Sequence, residues 1–153
     1  MSILPIFIPH AGCPHQCVFC NQKTISGQKL AAVAGAKEQL ARWRSWLRPS
    51  VVNEAAFYGG SFTGLPLELQ EELLALTDAL LAEGFIGSVR LSTRPDYIDE
   101  ERLQLLQCHG VRLVELGVQS LDDRVLAAAE RGHTAAQVAP AGGGFLQFSV
   151  LPW

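Results

Sequence analysis

The chain has 153 residues, of which 48% are hydrophobic and only 18% charged, against roughly 25% charged in ordinary globular domains. That composition argues against long disorder, and the length suggests one domain while falling short of the roughly 250 residues typical of a complete (β/α)8 barrel. Lys plus Arg number 12 against 15 Asp plus Glu, a formal net charge of −3, so no overall positive field draws the chain onto nucleic acid or acidic lipid.

The first strand is predicted at Ile3 to Ile8. This run is too short, too poor in basic flanking residues and too interrupted by Pro5 to be a signal peptide. No other stretch approaches the roughly 18 apolar residues that a membrane span needs, so the expected compartment is the cytoplasm. A long loop through three cysteines follows. Val33, Ala36, Leu40, Trp43 and Leu47 then recur at helical spacing from about Lys29 to Leu47, and Pro49 ends that helix. On its other side, Lys37, Arg44 and Arg48 read as a solvated face rather than an RNA-contacting patch.

Strand two is expected over Asn53 to Tyr58, closing on Gly59-Gly60. The next helix begins at Pro66, carries the stripe Leu69, Leu73, Leu76, Leu80 and is capped by Gly84. Strand three covers about Gly87 to Ser92, and Asp99 is placed to cap a third helix ending before Gly110. Cys108, late in that helix, reads as a small buried hydrophobe, and His109 as structural. Strand four, Val111 to Val118, runs into Ser120, which with Asp123 matches a capping box for a fourth helix.

Thr134 with Gln137 announces a further helix that Pro140 and Gly142-Gly143-Gly144 break at once, and the strand-like run Phe145 to Trp153 ends the chain. The alternation of strands and helices predicts parallel βα units. Residues 1–134 form the expected core, with a metal-binding loop at 9–22, and 135–153 an atypical segment, truncated or frameshifted relative to a normal fifth unit. Strand four would then lack its next neighbour and be left as an exposed edge.

Three of the four cysteines, Cys13, Cys17 and Cys20, lie within eight residues. In a reducing compartment such clustering points to metal binding rather than to disulfides. Soft thiolates select zinc or an iron–sulfur cluster. A structural zinc ion wants a fourth ligand, which His10 or His15 could supply, whereas a cubane held by three thiolates leaves one iron open for chemistry.

The spacing of Cys13, Cys17 and Cys20, with Phe19 before the last of them and a strand before the loop, resembles the radical S-adenosylmethionine (SAM) superfamily. The surrounding text narrows the resemblance. Phe7-Ile8-Pro9-His10, Cys20-Asn21-Gln22, Tyr58-Gly59-Gly60-Ser61-Phe62-Thr63-Gly64, Ser92-Thr93-Arg94-Pro95-Asp96, Glu115-Leu116-Gly117-Val118-Gln119-Ser120 and Arg131-Gly132-His133-Thr134 resemble, in order, the branch that contains the catalytic subunit of Elongator and its small bacterial relatives.

The resemblance implies an α/β fold, a partial and here C-terminally truncated (βα)6 barrel of parallel strands with its site at the strands' C-terminal ends. It implies a [4Fe-4S] cluster on Cys13, Cys17 and Cys20 and SAM on the open iron, cleaved reductively to a 5′-deoxyadenosyl radical that abstracts hydrogen from substrate. Gly59, Gly60 and Ser61 are then expected to offer backbone to the SAM ammonium, and Ser92, Arg94, Gln119 and Ser120 to make polar contacts to SAM. Arg131 is matched to the SAM carboxylate and Phe19 to support of the adenine. An electron donor such as flavodoxin or ferredoxin and an RNA substrate follow by the same analogy. The competing expectations are a cluster-binding remnant without turnover and a small zinc-binding module.

Overall fold

The computed structural model describes residues 2–8, 12–13, 17–18, 20, 29–50, 52–138 and 147–150, with backbone alone for 29–31 and 147–150. Five parallel strands pair in simple sequence order: β1 (Ile3–Phe7), β2 (Glu54–Tyr58), β3 (Ser88–Thr93), β4 (Val111–Leu116) and β5 (Gln147–Val150). Helices α1 (Lys29–Trp46), α2 (Leu67–Ala82), α3 (Glu100–Cys108) and α4 (Asp123–Ala128) alternate with them. A sheet that adds each strand on the same side keeps its helices on one face. This is the winding of a barrel, not of a doubly wound sheet.

Side-chain alternation tells the two faces apart. Leu4, Ile6, Ala55, Phe57, Val89, Leu91, Val114 and Leu116 are buried and share one core with Ala36, Leu40, Leu69, Leu73 and Leu106 from the helices. Phe57 packs on Phe62 with ring centroids 5.0 Å apart, a tilted pair worth about 0.5–1.5 kcal/mol beyond its buried area. The opposite face carries Glu54, Tyr58, Ser88, Arg90, Ser92 and Glu115.

A register shift between Val89 and Arg90 keeps that alternation in phase. Val89 pairs with Val111 but Arg90 with Leu113, so exposed Arg112 is the extra residue. Because of this bulge Val111 and Val114, three apart, both reach the helix side.

The helix boundaries follow local chemistry. Pro66 precedes α2, where its missing N–H costs nothing, and Gly84 follows it with φ +66°. The Asp99 carboxylate accepts from Arg102 N at 2.9 Å, the expected cap of α3. For α4 the cap is Asp122 rather than Ser120: its carboxylate takes Arg124 N at 2.9 Å, while Ser120 Oγ accepts from Asp122 N at 3.1 Å. Aspartate two residues before Arg124 simply reaches the orphan N–H groups better placed than Ser120 does. Gln137 Oε1 does accept from Thr134 N at 2.8 Å, but only a 3-10 turn, Ala135–Gln137, forms.

Two expectations are corrected. β4 is not an edge, because β5 pairs along it from Leu113↔Gln147 to Leu116↔Val150. Cys108 is exposed, not buried: it ends α3 on the side away from the core, at the end of the sheet opposite the cysteine loop. His109 ties α3 to α2 through Asp78, 3.0 Å away, as a structural residue should.

The free edge of β1 is covered. Gln39 of α1 accepts from Phe7 N at 2.8 Å and donates to Phe7 O at 2.9 Å, and Trp43 Nε1 donates to Pro5 O at 2.9 Å. Side chains thereby take the backbone groups that another strand would otherwise seek. On the far face of α1, Arg44 pairs with Glu83 at 2.8 Å and Lys37 and Arg48 are exposed, the solvated surface their spacing indicated.

Candidate cofactor site

Most segments singled out in the sequence emerge at the C-terminal end of a strand, while Arg131 to Thr134 follow α4. The cysteine loop leaves β1, Gly59-Gly60-Ser61 leaves β2, Arg94 leaves β3, and Gln119-Ser120 leaves β4. Such ends are where α/β folds hold ligands.

The loop is seated by glycine. A Cβ on Gly12 would lie 2.0 Å from Ser61 O, and one on Gly64 would lie 2.1 Å from Gly12 O. Backbone therefore packs directly on backbone between the loop after β1 and the turn after β2. Gly59, at φ +106°, similarly passes Ile8 O with no room for a side chain. The Gly59-Gly60 pair was visible in the sequence. The matching need at Gly12 and Gly64 was not, because it arises only when the two loops meet.

Cys17 is 5% exposed, and Cys13 and Cys20 are half-buried. Cys20 N donates to Cys17 O at 2.9 Å, closing a turn that carries two of the thiols. Burial pushes the Cys13 thiol above its ordinary range. An N–H bond from Ser61 and the charge of Arg94 pull it back, while Cys20 and Cys17 push it up again.

Among the described residues no group of His, Cys, Asp and Glu is gathered tightly enough to hold a single metal ion. Thiolates are the donors of iron–sulfur clusters, and three of them on a cubane leave one iron open. The donor set, three thiols within eight residues, fits a cluster. His10 and His15, the alternative zinc ligands, and Phe19 lie outside the described residues.

Behind the loop is a buried hydroxyl group. Ser61 Oγ meets Thr93 Oγ1 at 2.9 Å and accepts from Arg94 N at 3.2 Å, and Thr63 joins the same Thr93 hydroxyl. Ser61 is therefore placed by its side chain while its N–H faces Cys13. Arg94 is buried and bidentate to Asp96, at 2.9 Å for both contacts, and lies over the Tyr97 ring.

Ser92, one residue before Thr93, faces the other way. Its hydroxyl donates to Glu115 Oε2 at 3.0 Å on the helix-free face, where Arg90 bridges Glu54 and Glu115 and Ser88 Oγ donates to Glu54 at 3.0 Å. Tyr58 stands beside this network, and burial, then the Glu115 charge, raises its phenol above the usual range.

Gln119 adopts φ +72° and folds its amide back over Gly117, next to the Arg131 guanidinium. Arg131 is buried at 7% exposure, donates to Gly117 O and, through Nη1, to Cys17 Sγ at 3.3 Å. Ser120 holds the turn before α4. Cys13, Cys17, Cys20, Ser61, Arg94, Gln119 and Arg131 thus share one end of the sheet, and Ser92, near the same end of β3, turns to the helix-free face.

His133 is a feature that sequence reasoning passed over. It is 5% exposed, and neither ring nitrogen has a well-aligned hydrogen bond among the described residues. Burial, then the charge of Arg131, holds its imidazole below the ordinary range. Its only signal in the sequence was its place in Arg131-Gly132-His133-Thr134.

Comparison with known proteins bears on family and fold. The Radical SAM superfamily profile matches residues 7–141. The chain is 30% identical over 103 residues to Elongator complex protein 3 of Saccharomyces cerevisiae, covering 56% of this chain and 18% of that protein. It is 23% identical over 172 residues to a tRNA uridine(34) acetyltransferase of Methanocaldococcus infernus, covering 88% and 32%. Among solved structures, native anSMEcpe with bound AdoMet and the Cp18Cys peptide superposes with a TM-score of 0.70 at 19% identity, over 99% of this chain and 43% of that one. The chain spans less than half the length of each of these proteins. With the profile covering most of its length and the motifs in their order, the chain belongs to the radical SAM superfamily, on the branch that resembles the catalytic subunit of Elongator.

Proposed function

We propose that this protein holds a [4Fe-4S] cluster on Cys13, Cys17 and Cys20 and binds SAM at the C-terminal ends of its strands. The observation that carries the reading is the packing of the loop that bears three thiols onto the turn after β2, backbone against backbone at Gly12 and Gly64, with Arg131 on Cys17 Sγ. When bound and reduced by an external donor, the cluster would supply the one electron that splits SAM to methionine and a hydrogen-abstracting 5′-deoxyadenosyl radical. The chain's own work is to orient and shield. Gly12, Gly59 and Gly64 let backbone close around the cluster loop, Ser61 N–H and Arg131 hold sulfur, and the Gly59-Gly60 backbone is left to accept from the SAM ammonium.

Ser92, Gln119 and Ser120 are proposed as polar contacts to SAM, and Phe19 as support for its adenine. Residues 1–134 are taken as the cofactor-binding core, with 135–153 contributing β5. An RNA substrate is supported by the acetyltransferase relative that names tRNA, a flavodoxin or ferredoxin is the fitting class of electron donor, and the cytoplasm the fitting compartment. No helix among the described residues is long and apolar enough to cross a membrane.

Anaerobic reconstitution tests the proposal. Iron and labile sulfide should load together, and dithionite with SAM should release 5′-deoxyadenosine, while Cys17→Ala should release none. Zinc in place of iron and sulfide would overturn the cluster. A full cluster without the nucleoside would mean a cluster-binding remnant.

A further inference from the structure

Arg131 joins the two ends of the chain at the cysteine loop. It lies 114 residues from Cys17 in sequence, yet its Nη1 donates to Cys17 Sγ at 3.3 Å while Nη2 holds Gly117 O. A second tie runs beside it, Val18 N to Ala129 O at 3.3 Å, so the turn after α4 is docked on the loop at two points. Cys17 and Arg131 are both nearly closed to solvent, at 5% and 7% exposure. Of the three thiols, only Cys17 is fully buried, and this is the sulfur the guanidinium meets.

We propose that Arg131 is a positioning residue that sets the reduction potential of the cluster through the Cys17 thiolate. The inference rests on the cluster reading above and concerns the electron-accepting step rather than SAM binding. Reduction places one more negative charge on an object already bearing thiolate charge. An N–H bond to sulfur withdraws electron density from it, and a fixed cation beside it favours the reduced state. Burial keeps water from screening either effect. The planar guanidinium can hold Gly117 O and Cys17 Sγ together, which a lysine ammonium on a flexible stem does not reproduce.

The test is a redox titration of the reconstituted full-length chain without SAM, following the electron paramagnetic resonance signal of the reduced cluster. Iron and sulfide are counted in each sample. Leaving SAM out removes any contribution from a guanidinium contact to its carboxylate. In R131Q the reduced-to-oxidised ratio at a fixed potential should fall about tenfold, equivalent to about 59 mV downward for one electron. R131K, which keeps the charge but not the fork, should fall less. A fully loaded R131Q that titrates with the wild type overturns the proposal. If R131Q does not load, R131K decides, and a wild-type potential there overturns it. A wild-type chain that takes up no iron and sulfide overturns both this proposal and the reading beneath it, whereas a loaded cluster with an unmoved potential overturns this one alone.

Discussion

Gly12→Ala places the sharpest strain on the packing of the cysteine loop. The new Cβ would sit 2.0 Å from Ser61 O, where real Cβ contacts essentially never fall below 3.0 Å. The obstacle is backbone, also bonded to Gly64 N at 3.1 Å, so it cannot rotate aside as a side chain would. Roughly 1 Å of separation must open between the two loops. Overpacking of this kind costs about 1–3 kcal/mol, offset by about 0.4–1 kcal/mol because alanine has less freedom than glycine in the unfolded chain. A net loss of about 1–2 kcal/mol should appear as a lower urea midpoint.

The same shift draws Cys13 away from Ser61 N–H. Loss of such an outer contact to a ligand typically weakens metal binding by about 10-fold or more, so iron and sulfide per chain should drop on reconstitution at limiting iron. Gly35→Ala is the control. Nothing lies within 4 Å of its added Cβ in the middle of α1, so alanine there should stabilise by about 0.5–1 kcal/mol and leave cluster loading unchanged. A Gly12→Ala chain with the wild-type midpoint and full iron would refute the idea that backbone contact seats the loop.

Other outcomes follow from single features. Asp99→Ala removes the cap of α3 and should cost about 1 kcal/mol in urea unfolding; an unchanged midpoint would mean the Arg102 N bond contributes nothing. Leu73→Ala empties a fully buried site at the α2–sheet contact and should cost about 2–5 kcal/mol, with a loss below 1 kcal/mol showing that the site collapses freely. His133 is held below its ordinary range, so the unfolded chain binds its proton more readily than the folded one. Its contribution to stability is complete above the unfolded value near 6.5 and is lost as pH falls through the folded one. His133→Gln should therefore flatten the fall in urea midpoint between about pH 7.5 and 5.5, and equal slopes in the two chains would count against it.

The fold was legible because its signals are local. Val33, Ala36 and Leu40, or Leu69 and Leu73, announce a helix by spacing alone, and the parallel sheet follows from strands alternating with helices. The errors lie where distance along the chain matters. The strand-like run Phe145 to Trp153 was given no partner and strand four was expected to be an edge, yet Gln147–Val150 pairs with β4, filling that edge. Cys108 was placed by the average habit of cysteine, whereas the short helix that carries it turns that position outward.

The site divides in the same way. Most of the residues that reach the C-terminal ends of the strands could be read in sequence, because their motifs directly follow a strand; Arg131, after α4, is the exception. Which partner each then takes could not be read. Ser92 and Thr93 are adjacent, yet the two-residue period of a strand sends one to Glu115 on the concave face and the other to Ser61 behind the cysteine loop. Arg94 is neutralised two residues away by Asp96, while Arg131 crosses the whole chain to Cys17. These two buried arginines look alike in composition but differ in what they do to a nearby negative charge. Arg94 is held by Asp96 and acts on Cys13 through space. Arg131 touches sulfur directly, which makes it the cation whose removal should be felt by an electron arriving at the loop.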